Sequence, residues 1–178
     1  NGGCAINNPR YAGLLQTIAS HGFVVVTTTG DGAGRATAEH LKAAIDWAGQ
    51  ENARAGAKLA GKIDLSKVAV MGQSCGGRLS IELGADPRVG TIGVFNSGLN
   101  AEQMPLLSKV HGPVLLINGH ERDFMYATAK ATFAAIDQLP AFLGARRGAG
   151  HTATAYHAGG GEFANVAVNW LRWQFKKD

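Results

Sequence analysis

Apolar residues along the chain follow two alternating rhythms. Short unbroken runs, rich in β-branched residues, occupy 23–29 (FVVVTTT), 68–72 (VAVMG), 91–96 (TIGVFN) and 113–119 (PVLLING). Each is bounded by Gly, Pro or Asn, the pattern of strands buried on both faces. A fifth, weaker run lies at 141–145 (AFLGA). Elsewhere the spacing changes: Leu41, Ala44, Ile45 and Ala48 recur at i, i+3, i+4 and i+7. Phe163, Val166, Ala167 and Trp170 repeat that spacing, extended by Leu171. Both are amphipathic helices. Strand and helix in alternation predict an α/β fold, a mostly parallel sheet with helices on both faces. The Gly- and Ala-rich stretch 52–64 (NARAGAKLAGKID) reads as a surface connection. With no internal repeat and no low-complexity linker, residues 1–178 form a single domain.

Composition narrows the class. A chain of 178 residues suits one domain with a sizeable core. With 46% hydrophobic and 17% charged residues, disorder is not the default. The net charge of +4 is scattered over residues such as Arg35, Arg54, Lys58, Arg78, Arg146, Arg147 and Lys176, with no basic stripe interleaved with aromatics. Nucleic acid is therefore not an expected partner. No apolar run reaches the ~18 residues of a membrane span. The histidines and carboxylates lack helical ligand spacing, so neither a metal nor another cofactor is expected. The opening residues, NGGCAINNPRYAGLL, read like the middle of a domain, so any targeting signal is expected to lie outside this sequence.

The segment 71–80 (MGQSCGGRLS) carries the chemistry. Ser74 stands between Gly72 and Gly76 where an apolar strand stops and a helix starts. A serine hydroxyl is a poor nucleophile until a base takes its proton and its oxygen is exposed. A sharp strand-to-helix turn exposes it, and crowding there requires small neighbours two residues before and after. Gly77 adds room for the helix to approach the strand. The helix N-terminus also aims N–H groups at a developing oxyanion. Gly-x-Ser-x-Gly in this context is the nucleophile-elbow signature. With 25 glycines in the chain the bare motif is weak, and its place between strand and helix is what gives it force.

A nucleophile of this kind needs a base and an orienting acid, in the chain order Ser, Asp or Glu, His. His151 lies in a Gly-rich loop (RRGAGHTATAY) after the last strand candidate and before the final helix, and is the candidate base. His157, six residues on, is its main rival, and a solvated loop histidine is the plain alternative for either. Asp123 follows the strand 113–119, where open α/β sheets place their sites, and is the candidate acid. Glu121 is the competing acid. Asp123 also precedes a helix expected to begin near Phe124, so an N-cap is its other reading. His120 precedes the acid and lies too close in sequence to face it easily.

With these pieces in order, the chain resembles an α/β-hydrolase, and most resembles the serine esterases of the dienelactone-hydrolase-like, cutinase-like and polyester-hydrolase group. The matching segments are NGGCA as oxyanion loop, ASHGFVVVTTT as helix end and strand, DLSKVAVMGQSCGG as strand and elbow, PVLLINGHERD as acid strand, GAGHTATA as histidine loop and VAVNWLRWQFKKD as closing helix. The resemblance implies Ser74 as nucleophile, Asp123 as acid and His151 as base, with the backbone N–H groups of Cys75 and Cys4 as oxyanion donors. It implies hydrolysis of short-chain or accessible polymeric esters through an acyl-enzyme, by a protein acting as a monomer without cofactor. An amidase or peptidase on the same fold, and a non-catalytic binding protein, are the alternatives.

Two departures qualify the likeness. Family members carry a strand just before the oxyanion loop, seated between the strands represented here by 23–29 and 68–72. It is missing here, so the sheet is expected to have a gap with unpaired edges, and the sequence to begin inside its domain. Dienelactone hydrolases use cysteine as nucleophile, whereas that position here is Ser74 and Cys75 comes one residue later. Lactone activity is therefore not carried over. The connection 96–112 (NSGLNAEQMPLLSKVHG) is too short for a large lid, which implies an open cleft. Met104, Leu106 and Leu107 line either that cleft or the core. Finally, the two donors assigned by the resemblance must each reach within about 3 Å of one oxyanion. Their Cα atoms then fall near the range a disulfide needs, roughly 4.4–6.8 Å. A Cys4–Cys75 disulfide is expected, and with it a secreted or periplasmic location.

Overall fold

The computed structural model describes residues 9–27, 35–153 and 157–177. Among the described residues four strands form one sheet: β1 (Val68–Gln73), β2 (Val89–Phe95), β3 (Val114–Gly119) and β4 (Ala141–Arg146). Their order is β1-β2-β3-β4, and every neighbouring pair is parallel. Accompanying them among the described residues are the helices α1 (Ala12–Ser20), α2 (Ala38–Ala53), α3 (Cys75–Leu83), α4 (Tyr126–Ala134) and α5 (Gly161–Lys176). Parallel strands require long crossovers, which is why each pair of consecutive strands is bridged by helical turns.

The period-two alternation of a strand sorts its side chains onto two faces. Val70, Ile92, Val94, Val114 and Leu116 meet Leu41 of α2 and Leu79, Ile81 and Leu83 of α3 in one buried cluster. Phe95, Leu115 and Ile117 meet Leu14 and Ile18 of α1 and Phe163, Ala167 and Leu171 of α5 in another. The helical spacing seen in both stretches thus selects the buried stripes of α2 and α5, on opposite faces of the sheet. Trp170 adds a polar tie, its indole N–H donating to Thr91 Oγ1 at 2.8 Å.

The sheet aligns its C-terminal ends. Gln73 pairs with Phe95, and Phe95 with Ile117. Whatever follows β1, β2 and β3 therefore meets at one edge, the place where open α/β sheets build sites.

One expected strand is absent from the described residues. Residues 23–27 carry no strand, and 28 and 29 lie outside the description. Val24 and Val26 remain 44% and 40% exposed. They line a groove with Val68 and Val70 along the outer edge of β1, on the side away from β2. An apolar run becomes a strand only where a neighbouring backbone takes its hydrogen bonds. Here none of the described strands pairs with it.

The 96–112 connection holds a 3-10 helix at Ala101–Lys109, capped by the Asn100 side chain on the Gln103 N–H. Leu107 is buried in the first cluster, with Met104 and Leu106 packed against it, so these side chains serve the core. Among the described residues no helix is long and apolar enough to cross a membrane.

Candidate active site

Ser74 alone makes the turn from β1 into α3. Its backbone sits at φ 56°, ψ −123°, a region that L-residues other than glycine rarely enter. Surrounding hydrogen bonds hold it there. The Ser74 N–H donates to the Phe95 carbonyl at 2.9 Å, and the Ser74 carbonyl accepts from Gly77 N–H at 2.9 Å and Ser97 Oγ at 2.6 Å. The glycines around it answer to atomic crowding. A Cβ on Gly72 would stand 2.3 Å from the Gly76 carbonyl, and one on Gly77 would stand 2.6 Å from Ser97 Cβ. Cys75 is the first residue of α3, so its N–H belongs to the first turn, whose amides find no acceptor one turn back.

The acid comes from the loop after β3. The Asp123 side chain is fully buried. One carboxylate oxygen, Oδ2, accepts from Asn96 Nδ2 at 2.7 Å and Gly119 N–H at 3.1 Å. The other, Oδ1, accepts from Met125 N–H at 3.0 Å and faces His151 Nδ1 at 2.9 Å. Burial alone would push this carboxyl upward, but the hydrogen bonds from Asn96, His151 and Met125 outweigh it and hold its pKa below the usual value. Asp123 is thus kept ionised inside the protein. It is not the helix N-cap: α4 starts at Tyr126, and Met125 occupies the cap position.

His151 completes the line. Its Nε2 lies 2.9 Å from Ser74 Oγ, while Nδ1 points to Asp123. An ionised carboxylate can only accept, so Nδ1 carries the proton and the Nε2 lone pair faces the serine hydroxyl. The imidazole packs against the Phe124 ring, centroids 4.1 Å apart. Phe124 is itself 73% exposed, which puts an aromatic face at the mouth of the site. The histidine loop is anchored through its backbone: Gln73 Nε2 donates to the His151 carbonyl at 2.8 Å. Gln73 Oε1 in turn accepts from Tyr11 Oη at 2.8 Å.

Ser74, Asp123 and His151 are therefore brought into one hydrogen-bonded line. Their rivals lie elsewhere. Glu121 is 88% exposed and pairs with His120 at 3.7 Å, and His120 packs on Tyr126. His157 is exposed and precedes the 3-10 turn Ala158–Gly160. Cys4, expected as an oxyanion donor and as the disulfide partner of Cys75, lies outside the described residues. Among the described residues no cluster of three or more His, Cys, Asp or Glu side chains could hold a metal ion.

Four neighbours escaped the sequence reading. Asn96 has φ 46° and is fully buried, donating to Asp123 and, at 3.4 Å, to the Gly150 carbonyl. Its only sequence signal is its place at the end of a buried run. Gln73 occupies the variable position of the elbow motif. Tyr11 lies more than sixty residues from the elbow, and Phe124 is one more loop aromatic.

Among curated proteins, none matches the chain. A profile of PET hydrolase-like proteins matches residues 9–178, a span holding the elbow, the acid loop, the histidine loop and all four strands. The chain belongs to the PET hydrolase-like family, a polyester-hydrolase group of the α/β-hydrolase superfamily.

Proposed function

We propose that this chain hydrolyses carboxylic esters with Ser74 as nucleophile, His151 as base and Asp123 as orienting acid. Family membership implies a polyester or ester hydrolase. The observation that carries the residue assignment is the pair of 2.9 Å contacts on the two nitrogens of one imidazole, to Ser74 Oγ and Asp123 Oδ1.

In the proposed cycle Ser74 Oγ attacks the ester carbonyl as its proton passes to His151 Nε2. Asp123 stabilises the imidazolium that forms. The N–H groups of Cys75 and Cys4 hold the oxyanion. His151 returns the proton to the departing alcohol, leaving an acyl group on Ser74. Water then gives its proton to His151, attacks the acyl carbonyl, and releases the acid and the free serine.

A Cys4–Cys75 disulfide belongs to this proposal, as does export of the protein. Its support is that no free thiol occurs among the described residues and that the chain has two cysteines in all. Short-chain esters and accessible polymer chains are the proposed substrates of a monomeric enzyme. Support comes from the family and from the nine-residue 3-10 helix that fills the 96–112 connection, which leaves little to cover the site.

The test is hydrolysis of p-nitrophenyl butyrate and of an amorphous polyester film, with p-nitrobutyranilide as the amide control. Ester cleavage that vanishes in Ser74→Ala, with far slower cleavage of the anilide, is expected. Ester cleavage that survives Ser74→Ala overturns the assignment.

A further inference from the structure

The residue just before the nucleophile holds the histidine loop. Gln73 ends β1 and is 5% exposed. Both ends of its amide are used. Nε2 donates to the His151 backbone carbonyl, and Oε1 accepts from the Tyr11 hydroxyl, each at 2.8 Å. One side chain thus joins three segments far apart in sequence: the turn that opens α1, the elbow strand, and the loop after β4.

We propose that Gln73 and Tyr11 form a positioning brace that sets the Ser74–His151 distance, a role resting on the esterase reading above. A base on a loop needs its backbone fixed as well as its ring, because a misplacement on the order of 1 Å can cost about 100-fold in rate. Asp123 fixes the ring through Nδ1, a bond that acts on the side chain and not on the loop backbone. The Gln73 bond supplies a second fixed point on the same residue. Since Gln73 and Ser74 are consecutive, the strand that places the nucleophile also places its base. The only other side chain bonded to the neighbouring loop backbone among the described contacts is Asn96, through the longer 3.4 Å bond to Gly150. Tyr11 acts one step further back. With its oxygen held by the phenol, the Gln73 amide presents its NH2 to His151, and the flipped orientation would set two carbonyl oxygens against each other.

The brace predicts an ordered set of effects. Gln73→Met keeps the length of the side chain but loses the donor. It is expected to lower kcat on p-nitrophenyl butyrate about 30–100-fold, with KM changed less than about 3-fold. Tyr11→Phe removes one hydroxyl and is expected to lower kcat about 3–10-fold. The double variant is expected to be no slower than Gln73→Met alone, because Tyr11 works through Gln73. The far-downfield proton NMR signal of the His151–Asp123 hydrogen bond is expected to broaden or shift in Gln73→Met. Circular dichroism should show folded protein throughout. If Gln73→Met does not fold, Tyr11→Phe carries the test by its kcat and proton signal. A kcat within about 2-fold of wild type in the folded variants, or a Tyr11→Phe penalty that multiplies with that of Gln73→Met, overturns the brace. Wild-type protein that cleaves no ester would instead count against the esterase reading. The proton signal would still decide the brace.

Discussion

The C-terminal edge of the sheet and the outer edge of β1 are built from similar apolar runs and end up opposite in character. At the first, Ser74, Asn96 and Asp123 sit where β1, β2 and β3 stop. Asn96 and the Asp123 side chain are fully enclosed, and the carboxylate is held by three donors besides His151. Along the second, Val24 and Val26 face a groove beside β1 and no described strand pairs with 23–27. What separates the two regions is partnership. Where neighbouring backbone is available, the chain tolerates two non-glycine residues at positive φ, Ser74 and Asn96, because hydrogen bonds on every side hold them. Where no described strand lies alongside, Val24 and Val26 stay 44% and 40% exposed.

That contrast can be broken most severely at the base. His151→Ala is expected to lower kcat about 10⁴-fold or more, while His157→Ala and His120→Ala leave it within about 3-fold. Steady-state kinetics on a soluble p-nitrophenyl ester checks this. A crippling His157→Ala would mean that His157, not His151, is the base.

Next in size is the elbow. Gly72→Ala drives a methyl to 2.3 Å from the Gly76 backbone, where nothing flexible can yield. A loss of about 3 kcal/mol of stability is expected from overpacking of this kind. Urea unfolding measures it, and an unchanged midpoint would show that the elbow has room for a methyl group.

Asn96→Ala removes one of the three bonds that outweigh the burial of Asp123, leaving that carboxylate short of a donor. A cost of about 2 kcal/mol is expected near neutral pH. The sign of its pH dependence follows from the carboxyl. The wild-type Asp123 pKa is lowered in the folded protein. Its stabilisation is therefore complete above the unfolded value of about 3.9 and lost as pH falls through the folded value. Without Asn96 the folded value rises, so the gap between wild type and variant should be widest near pH 7 and narrow below about pH 4. Denaturant midpoints at the two pH values test this. A gap that widens on acidification would contradict it.

The smallest effect belongs to the open edge. Val24→Thr exchanges a methyl for a hydroxyl at a position 44% exposed and is expected to change stability by no more than about 0.5 kcal/mol. A loss several times larger would mean that this valine is covered in solution.

The sequence showed the four paired strands and the two long amphipathic helices, and pointed to the three side chains that the structure brings into one line, because each leaves a local trace. Residues 113–119 are unbroken and apolar because β3 is covered on both faces. Phe163 and Ala167 repeat at helical spacing because α5 lies against the sheet. Gly72 stands two residues before Ser74 because a side chain there would meet the Gly76 backbone across the turn. Pairing leaves no such trace, so 23–29 read like the other strands although its described residues are unpaired. The N-cap reading of Asp123 failed because a buried carboxylate that bonds Met125 N–H two residues on looks, in sequence, like one that starts a helix. Asn96, Gln73 and Tyr11 were illegible for a related reason. Each is an ordinary polar residue whose role comes from partners 27, 78 and 62 positions away.

The central claim is that the fold turns Ser74 into a nucleophile through His151. Incubating the protein with a fluorophosphonate and mapping the adduct by peptide mass spectrometry tests it most directly. One adduct per chain is expected, on Ser74, formed far more slowly in His151→Ala. An adduct on another residue, or none on folded wild-type protein, would contradict it.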